Sequence, residues 1–269
     1  MAGAGASRAR PAAGSHRWAP AGRPRGGDPA QPECGRSPQP QVSGKAVVIV
    51  AIDGPAGSGK TTVGRMVAEK LGFALVDTGL FYRAVTVEAR RRGIGAGDVA
   101  ALVQMVGELH IDINTSPSAG RDSPLLSIDG KDVSRDAHDP AIALELSQIA
   151  QLPDVRRLLV ESQRRSARGD AVVLGRDIGT VIFPDADVKF FFTAPAAERV
   201  ARRRRELDRA RGSATPDAVL QQEIEARDRA DQEREVAPLR AASDAIIVAT
   251  EGKSVHQVFD EVMARLPKH

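Results

Sequence analysis

Three glycines and a lysine share the seven residues Gly54-Pro55-Ala56-Gly57-Ser58-Gly59-Lys60, and two hydroxyls, Thr61 and Thr62, follow at once. Glycine costs backbone entropy on folding, so the stretch must need bare main chain. A glycine loop can turn its N–H groups inward as a nest for anionic oxygens. A helix starting at Lys60 would add its positive dipole end. The spacing fits G-x-x-x-x-G-K-[ST] at every fixed position. In that pattern the amides cradle phosphates, the lysine reaches the terminal ones, and the first hydroxyl ligates Mg²⁺. Residues 54–62 are therefore the candidate triphosphate site, with Thr61 as the metal-ligating residue.

A phosphate cradle does not name a reaction. Cations elsewhere narrow it. "DTGLFYR" brings Thr78, Tyr82 and Arg83 just past a short apolar run; "GRDIGT" brings Arg176 and Asp177 just past "AVVL". Ligands of open α/β sheets gather at those carboxyl ends. "ARDRADQER" spaces Arg227, Asp231 and Arg234 at i, i+4 and i+7, one helix face, although Arg227 and Asp231 alone could be a plain surface ion pair. Arg199 and Arg202 to Arg205 read equally as a solvated helix face or as a cationic arm. Tyr82, the only tyrosine, suits a core position or a stacking surface equally. Arginine forks grip phosphate bidentately, so this set suits an acceptor that is itself a phosphate. No N-K-x-D is present, which argues against a guanine switch. The later strands run into Gly175 and Thr193, not an aspartate, which weakens a motor ATPase reading.

Placing these groups requires a parallel α/β sheet. "KAVVIVAIDG" is a continuous apolar run, the mark of a buried parallel strand. A helix from Lys60 to Leu71 follows, stopped by Gly72, and then the strand "FALVD". Helices are expected over 78–92, 139–152 and 153–167, with short strands around 110–113 and 125–128. "DAVVLG", "DVKFFFTA" and "DAIIVAT" are three further strands. Two charged helices opened by prolines and a closing helix over 254–266 complete the pattern.

The chain has 269 residues, 42% of them apolar, so one sizeable core is expected, aliphatic because aromatics are 3%. Residues 1–44 hold six arginines against two acids and have no apolar periodicity. They read as a disordered extension, either a transit segment or upstream of a true start near Val42. The rest is nearly neutral, with 32 basic against 33 acidic side chains, so no nucleic-acid partner is expected. Cys34 is the only cysteine and Trp18 the only tryptophan, both in the tail. Body thiol chemistry is thereby excluded. No run approaches a membrane span. A cytoplasmic monomer is expected.

Taken together, "IDGPAGSGKTT", "DTGLFYR", "LELSQIAQLPDVRRLL", "GRDIGTVIFPDADVKFFFTA" and "ARDRADQEREVAPL" resemble the bacterial cytidylate kinases, collinearly from about Val47 onward. The resemblance implies an α/β P-loop NTPase fold: a five-stranded parallel sheet, a small β-rich CMP-binding insert and a short helical lid. It implies a kinase domain over 45–269, the insert at about 78–168 with its β-rich part near 105–135, and the lid at about 198–215. The implied reaction is MgATP with CMP or dCMP giving ADP with CDP or dCDP. Ser147, Arg156 and Asp177 would read the cytosine, with Arg234 helping; Arg227 and Asp231 would hold the ribose. Arg83 and Arg176 would grip the CMP phosphate. Lys60, Arg176 and Arg234 would serve catalysis, and lid arginines from the 199–212 segment would reach the transferring phosphate. Thr78 keeps the hydroxyl of the serine common there. Leu174 departs from the family, where an acid often precedes G-R-D. Two rivals remain: a P-loop kinase for another small acceptor such as UMP, and a nucleotide-binding regulator with slow hydrolysis.

Overall fold

The computed structural model describes residues 47–119, 125–211 and 215–267. The expected extension at 1–44, with Trp18 and Cys34, lies outside the described residues, as does the 212–214 part of the expected lid. Among the described residues the order is β1 (Ile49–Asp53), α1 (Lys60–Leu71), β2 (Ala74–Asp77), α2 (Gly79–Arg92), α3 (Val99–Glu108), β3 (Ile111–Ile113), β4 (Leu126–Ile128), β5 (Lys131–Asp132), α4 (Ser134–Ala137), α5 (Ala143–Ile149), α6 (Pro153–Ser166), β6 (Ala171–Leu174), β7 (Val188–Thr193), α7 (Ala196–Arg211), α8 (Asp217–Glu233), β8 (Ile246–Ala249) and α9 (Val255–Arg265).

Five strands form one parallel sheet in the order β2-β6-β1-β7-β8. β1 is central and wholly buried, which is why it carries no alternation. One face of the sheet packs Val50, Ile52, Phe190 and Phe192 under α1 and α9. The other packs Ala51, Val76 and Val173 against Ile178 and Ile182. A parallel sheet sends every strand's carboxyl end to one edge. Asp53, Asp77 and Leu174 end their strands there, directly ahead of the glycine loop, Thr78 and Gly175-Arg176-Asp177.

Residues between α2 and β6 build a second core. Phe81, Tyr82, Leu102, Met105, Ile149 and Leu159 come together from α2, α3, α5 and α6. A three-stranded antiparallel sheet, β3-β4-β5, covers the remaining side of α2. Its three strands lie within the β-rich stretch expected near 105–135, and the rest of the region is helical. Helix α3 is not among the expected elements, although Asp98 caps it by accepting from the Ala101 amide at 3.1 Å and Leu102, Met105 and Val106 bury one face. The single helix expected over 139–152 is broken. Asp139 caps one tight turn at Pro140–Ile142, and α5 runs only to Ile149. Leu152 is extended because Pro153 follows it.

Candidate active site

The glycine loop joins β1 to α1 with positive φ at Gly54, Gly57 and Gly59. Gly54 has a second constraint: a Cβ there would lie 2.3 Å from the Phe192 carbonyl oxygen of β7. Apart from a long Ser58 bond to Pro55 O (3.4 Å), the amides from Gly57 to Thr62 donate to no acceptor among the described residues. The carbonyls, in contrast, are held from outside. Arg199 donates to Ala56 O at 3.2 Å and Arg202 to Gly57 O at 3.3 Å, while the Thr250 hydroxyl donates to Ser58 O at 3.2 Å. Pinning the oxygens outward leaves the amides as an anion nest at the start of α1. Arg199 is itself fixed by a bidentate pair with Asp228 of α8 (3.0 and 2.5 Å). Two of the five arginines of the expected arm are thus committed to the loop; Arg203, further along α7, is exposed.

Lys60 lies inside the loop, donating to Gly54 O and Pro55 O, both at 2.7 Å, and to Ser58 Oγ at 3.3 Å. Burial first, and then the Arg176 charge, hold its pKa well below the usual amine range. Thr61 is exposed, with its hydroxyl 3.5 Å from Asp77 Oδ2. Asp77 was not singled out from the sequence, though it ends a strand at the ligand-binding edge. A hydroxyl and a carboxylate are hard oxygen donors of the kind Mg²⁺ prefers, so the pair beside the nest fits that ion. No cluster of three or more potential metal ligands occurs among the described residues.

Opposite the loop, cations converge. Burial lowers the Arg83 pKa, and the Arg203 and Arg176 charges add to the effect against Asp77. Arg227 is pulled down to about 10, first by burial and then by Arg176, with Arg83 and Arg203 contributing. Arg83, Arg176 and Arg203 are therefore all within electrostatic reach of Arg227, and Lys60 is within reach of Arg176 and Arg227. Mutual repulsion of this kind costs stability unless an anion enters. Arg83 is steadied by donating to Ala137 O at 2.5 Å, and Arg176 by Asp231 at 3.0 Å. The Thr78 hydroxyl is engaged, donating to Leu174 O at 2.8 Å.

A second cluster adjoins this one. Asp177, buried, accepts from Arg156 Nη2 at 2.5 Å and has Arg234 Nη2 at 3.8 Å, too long for a hydrogen bond. Arg156 also donates to Ala150 O, the cap of α5, at 2.9 Å. The Tyr82 ring lies 5.2 Å under the Arg156 guanidinium and is buried in the second core. Burial opposes charge on Arg156, but Tyr82 and Asp177 outweigh it and raise the pKa. Arg156 Nε and Arg234 Nη2 are buried and make no hydrogen bond. Ser147 is half-buried on α5, with its carbonyl accepting from Gln151 at 2.9 Å. One geometric expectation changes. Arg234 is not on the helical face with Arg227 and Asp231; it caps α8 in an extended conformation and turns back to Asp231 at 3.4 Å. Leu174 is fully buried, and a Cβ on Gly64 of α1 would lie 2.6 Å from it, so this position is filled with hydrocarbon.

A glycine loop between a central parallel strand and a helix, with Arg83 on the helix after β2 and Arg176 directly after β6 at the same sheet edge, defines a P-loop kinase-like α/β protein. The cytidylate kinase family model matches residues 50–268. The chain belongs to the cytidylate kinase family. It is 43% identical over 217 residues to the bifunctional pantoate ligase/cytidylate kinase of Synechococcus elongatus, a match covering 80% of this chain and 41% of that protein. It is 41% identical over 218 residues to the cytidylate kinase of Pelotomaculum thermopropionicum, covering 81% of this chain and 95% of that one. The cytidylate kinase of Symbiobacterium thermophilum is 38% identical over 223 residues, with 82% and 97% covered. The chain thus spans less than half the length of its bifunctional relatives and nearly the whole of the shorter ones. No helix of the described residues is long and apolar enough to cross a membrane.

Proposed function

We propose that this protein transfers the γ-phosphoryl group of ATP to CMP or dCMP, giving ADP and CDP or dCDP. One observation carries the reading: an amide nest with unengaged N–H groups faces a set of arginines that repel one another. Two anionic groups are needed to satisfy both halves, and a nucleoside triphosphate with a nucleoside monophosphate supplies them. The names of the relatives support CMP as the acceptor.

In this reading residues 54–62 hold the β- and γ-phosphates, with Lys60 exchanging its loop carbonyls for phosphate oxygens. Arg83 and Arg176 hold the CMP phosphate, and the charge of Arg203 at α7 adds to the field there. An oxygen of that phosphate attacks the γ-phosphorus in line; the bond to the β-bridging oxygen breaks and its electron pair leaves on ADP. The attacking oxygen is already largely ionised near neutral pH, so no side chain need take a proton. The work of the protein is positioning and charge stabilisation. Mg²⁺, when bound, would neutralise phosphate charge, and Thr61 with Asp77 would hold it. Arg227 and Asp231 lie on the ribose side. Asp177 and Arg156 face the base with Arg234, and Ser147 flanks them from α5. The buried, unpaired Arg156 Nε and Arg234 Nη2 are donors suited to acceptors on a pyrimidine. Tyr82 supports Arg156 from beneath.

ADP release with CMP, dCMP, UMP and AMP as acceptors tests the proposal. CMP and dCMP should turn over well above UMP and AMP. Hydrolysis that ignores the acceptor would favour the nucleotide-binding regulator instead.

A further inference from the structure

Asp53 is the last residue of β1 and immediately precedes the glycine loop. Its carboxylate is buried and accepts two main-chain bonds from across the sheet edge, Ile178 N to Oδ1 and Gly179 N to Oδ2, each 2.8 Å. Those amides open the wide helical turn Ile178–Ile182 that follows Arg176 and Asp177. The residue in the N-cap position of that turn is Asp177, yet its side chain caps nothing and points to Arg156. Asp53 therefore does the capping from another strand and releases the Asp177 carboxylate for the second cluster. The surroundings leave no slack. A Cβ on Gly179 would lie 3.0 Å from the Lys189 side chain and 3.5 Å from Asp53 Oδ2, and one on Gly175 would lie 2.6 Å from Ile178.

Resting on the proposed function, we infer that Asp53 is a positioning residue whose ionised carboxylate fixes the Arg176–Asp177 segment, and hence the acceptor nucleotide, against the triphosphate loop. Both oxygens accept at once, which the carboxylate does best; an amide turns its NH₂ toward an N–H, and a protonated acid leaves one N–H only a weak hydroxyl acceptor. The charged groups facing Asp53 are Asp177 of the following turn and Lys60 of α1. From β7, Lys189 passes its stem by Gly179 and pairs its ammonium with Asp244 at 2.8 Å. Burial, only partly offset by the two amides, raises the Asp53 pKa to about 6. Mild acid should therefore undo the clamp.

The test compares wild type with Asp53→Asn. At pH 8 the variant should lose about tenfold or more in kcat/KM for CMP, with KM for ATP changed less than about twofold. The wild-type to variant ratio should fall toward one below about pH 5.5, because the protonated wild type resembles the amide. Titration of the phosphates on CMP and ATP cancels in that ratio. In the free wild-type protein the Ile178 and Gly179 amide resonances should titrate together with a midpoint near that of Asp53. A ratio that stays constant with pH, or amides that do not move between pH 4.5 and 8, would overturn the inference. The amide titration decides the matter if the variant does not fold. If wild type turns over no CMP, the proposed function fails by itself, and the same titration still judges the clamp.

Discussion

Replacing Asp177 with alanine removes the carboxylate that lies between Arg156 and Arg234. The Arg156 side chain is 4% exposed and that of Arg234 3%, so neither charge can recover its loss by hydration. The short bond to Arg156 Nη2, at 2.5 Å, carries most of the interaction; Arg234 at 3.8 Å adds a weaker field. Breaking a buried pair by deleting one partner costs about 3–5 kcal/mol, because the other charge is left buried alone. Here the two guanidiniums that remain also repel, as the depressed Arg234 pKa records after the burial effect. For a domain of this size the loss corresponds to a drop in Tm of roughly 6–20 °C. Urea unfolding of wild type, Asp177→Ala and the double variant Arg156→Met/Asp177→Leu would read it. The double variant removes both charges of the short pair and should regain most of the stability, but not CMP-dependent turnover. A single variant costing less than about 1 kcal/mol, or a double variant no more stable than the single one, would refute the reasoning.

Three further outcomes follow from the same geometry. Lys60→Ala should lower kcat at least about a hundredfold with the melting temperature nearly unchanged, since removing a preorganised cation from a phosphoryl site costs that much; comparable turnover would deny the lysine its role. Arg199→Ala removes the bidentate link to Asp228 and the tie to Ala56 O, so KM for ATP should rise about tenfold while the KM for CMP moves less, as steady-state kinetics would show. Asp53 sets a stability trend with pH. Its folded pKa of about 6 lies above the ordinary carboxylate value, so the folded state binds this proton more tightly than the unfolded chain does. The resulting stability is complete below about pH 4 and is lost as pH rises through about 6, by about 3 kcal/mol. The difference in unfolding free energy between wild type and Asp53→Asn, followed from pH 4 to 8, isolates this from the opposite trend of other carboxylates.

The sheet was readable because its strands are buried on both faces and appear as unbroken apolar runs, and because Gly72, Pro153 and Ser254 punctuate the helices. β1, α1 and α9 lie within a few residues of their expected positions. The region from Gly93 to Leu152 was harder. There Asp98 and Asp139 act as caps, but the elements they start are short and are held by packing on the distant helices α2 and α6, so local pattern and final structure are only loosely tied. Site chemistry divided in the same way. Arg83, Arg176 and Arg227 could be found from strand ends and helix spacing. That Arg199 and Arg202 would brace the loop carbonyls could not, because the partners are about 145 residues away in sequence. Asp53 and Asp77 were visible as polar residues closing apolar strands, yet nothing local separates a buried clamp from a solvated strand end. The i, i+4, i+7 spacing placed Arg234 on a helix that ends one residue before it, since spacing reports neighbours but not termination.

The γ-phosphoryl group should move from the nest to a cytidine nucleotide held by the arginines opposite. Supplying ATP labelled in its γ-phosphate together with CMP tests this directly. The label should appear in the β-phosphate of CDP, dependent on CMP and nearly abolished in Lys60→Ala. Label released as inorganic phosphate at the same rate with or without CMP would contradict it.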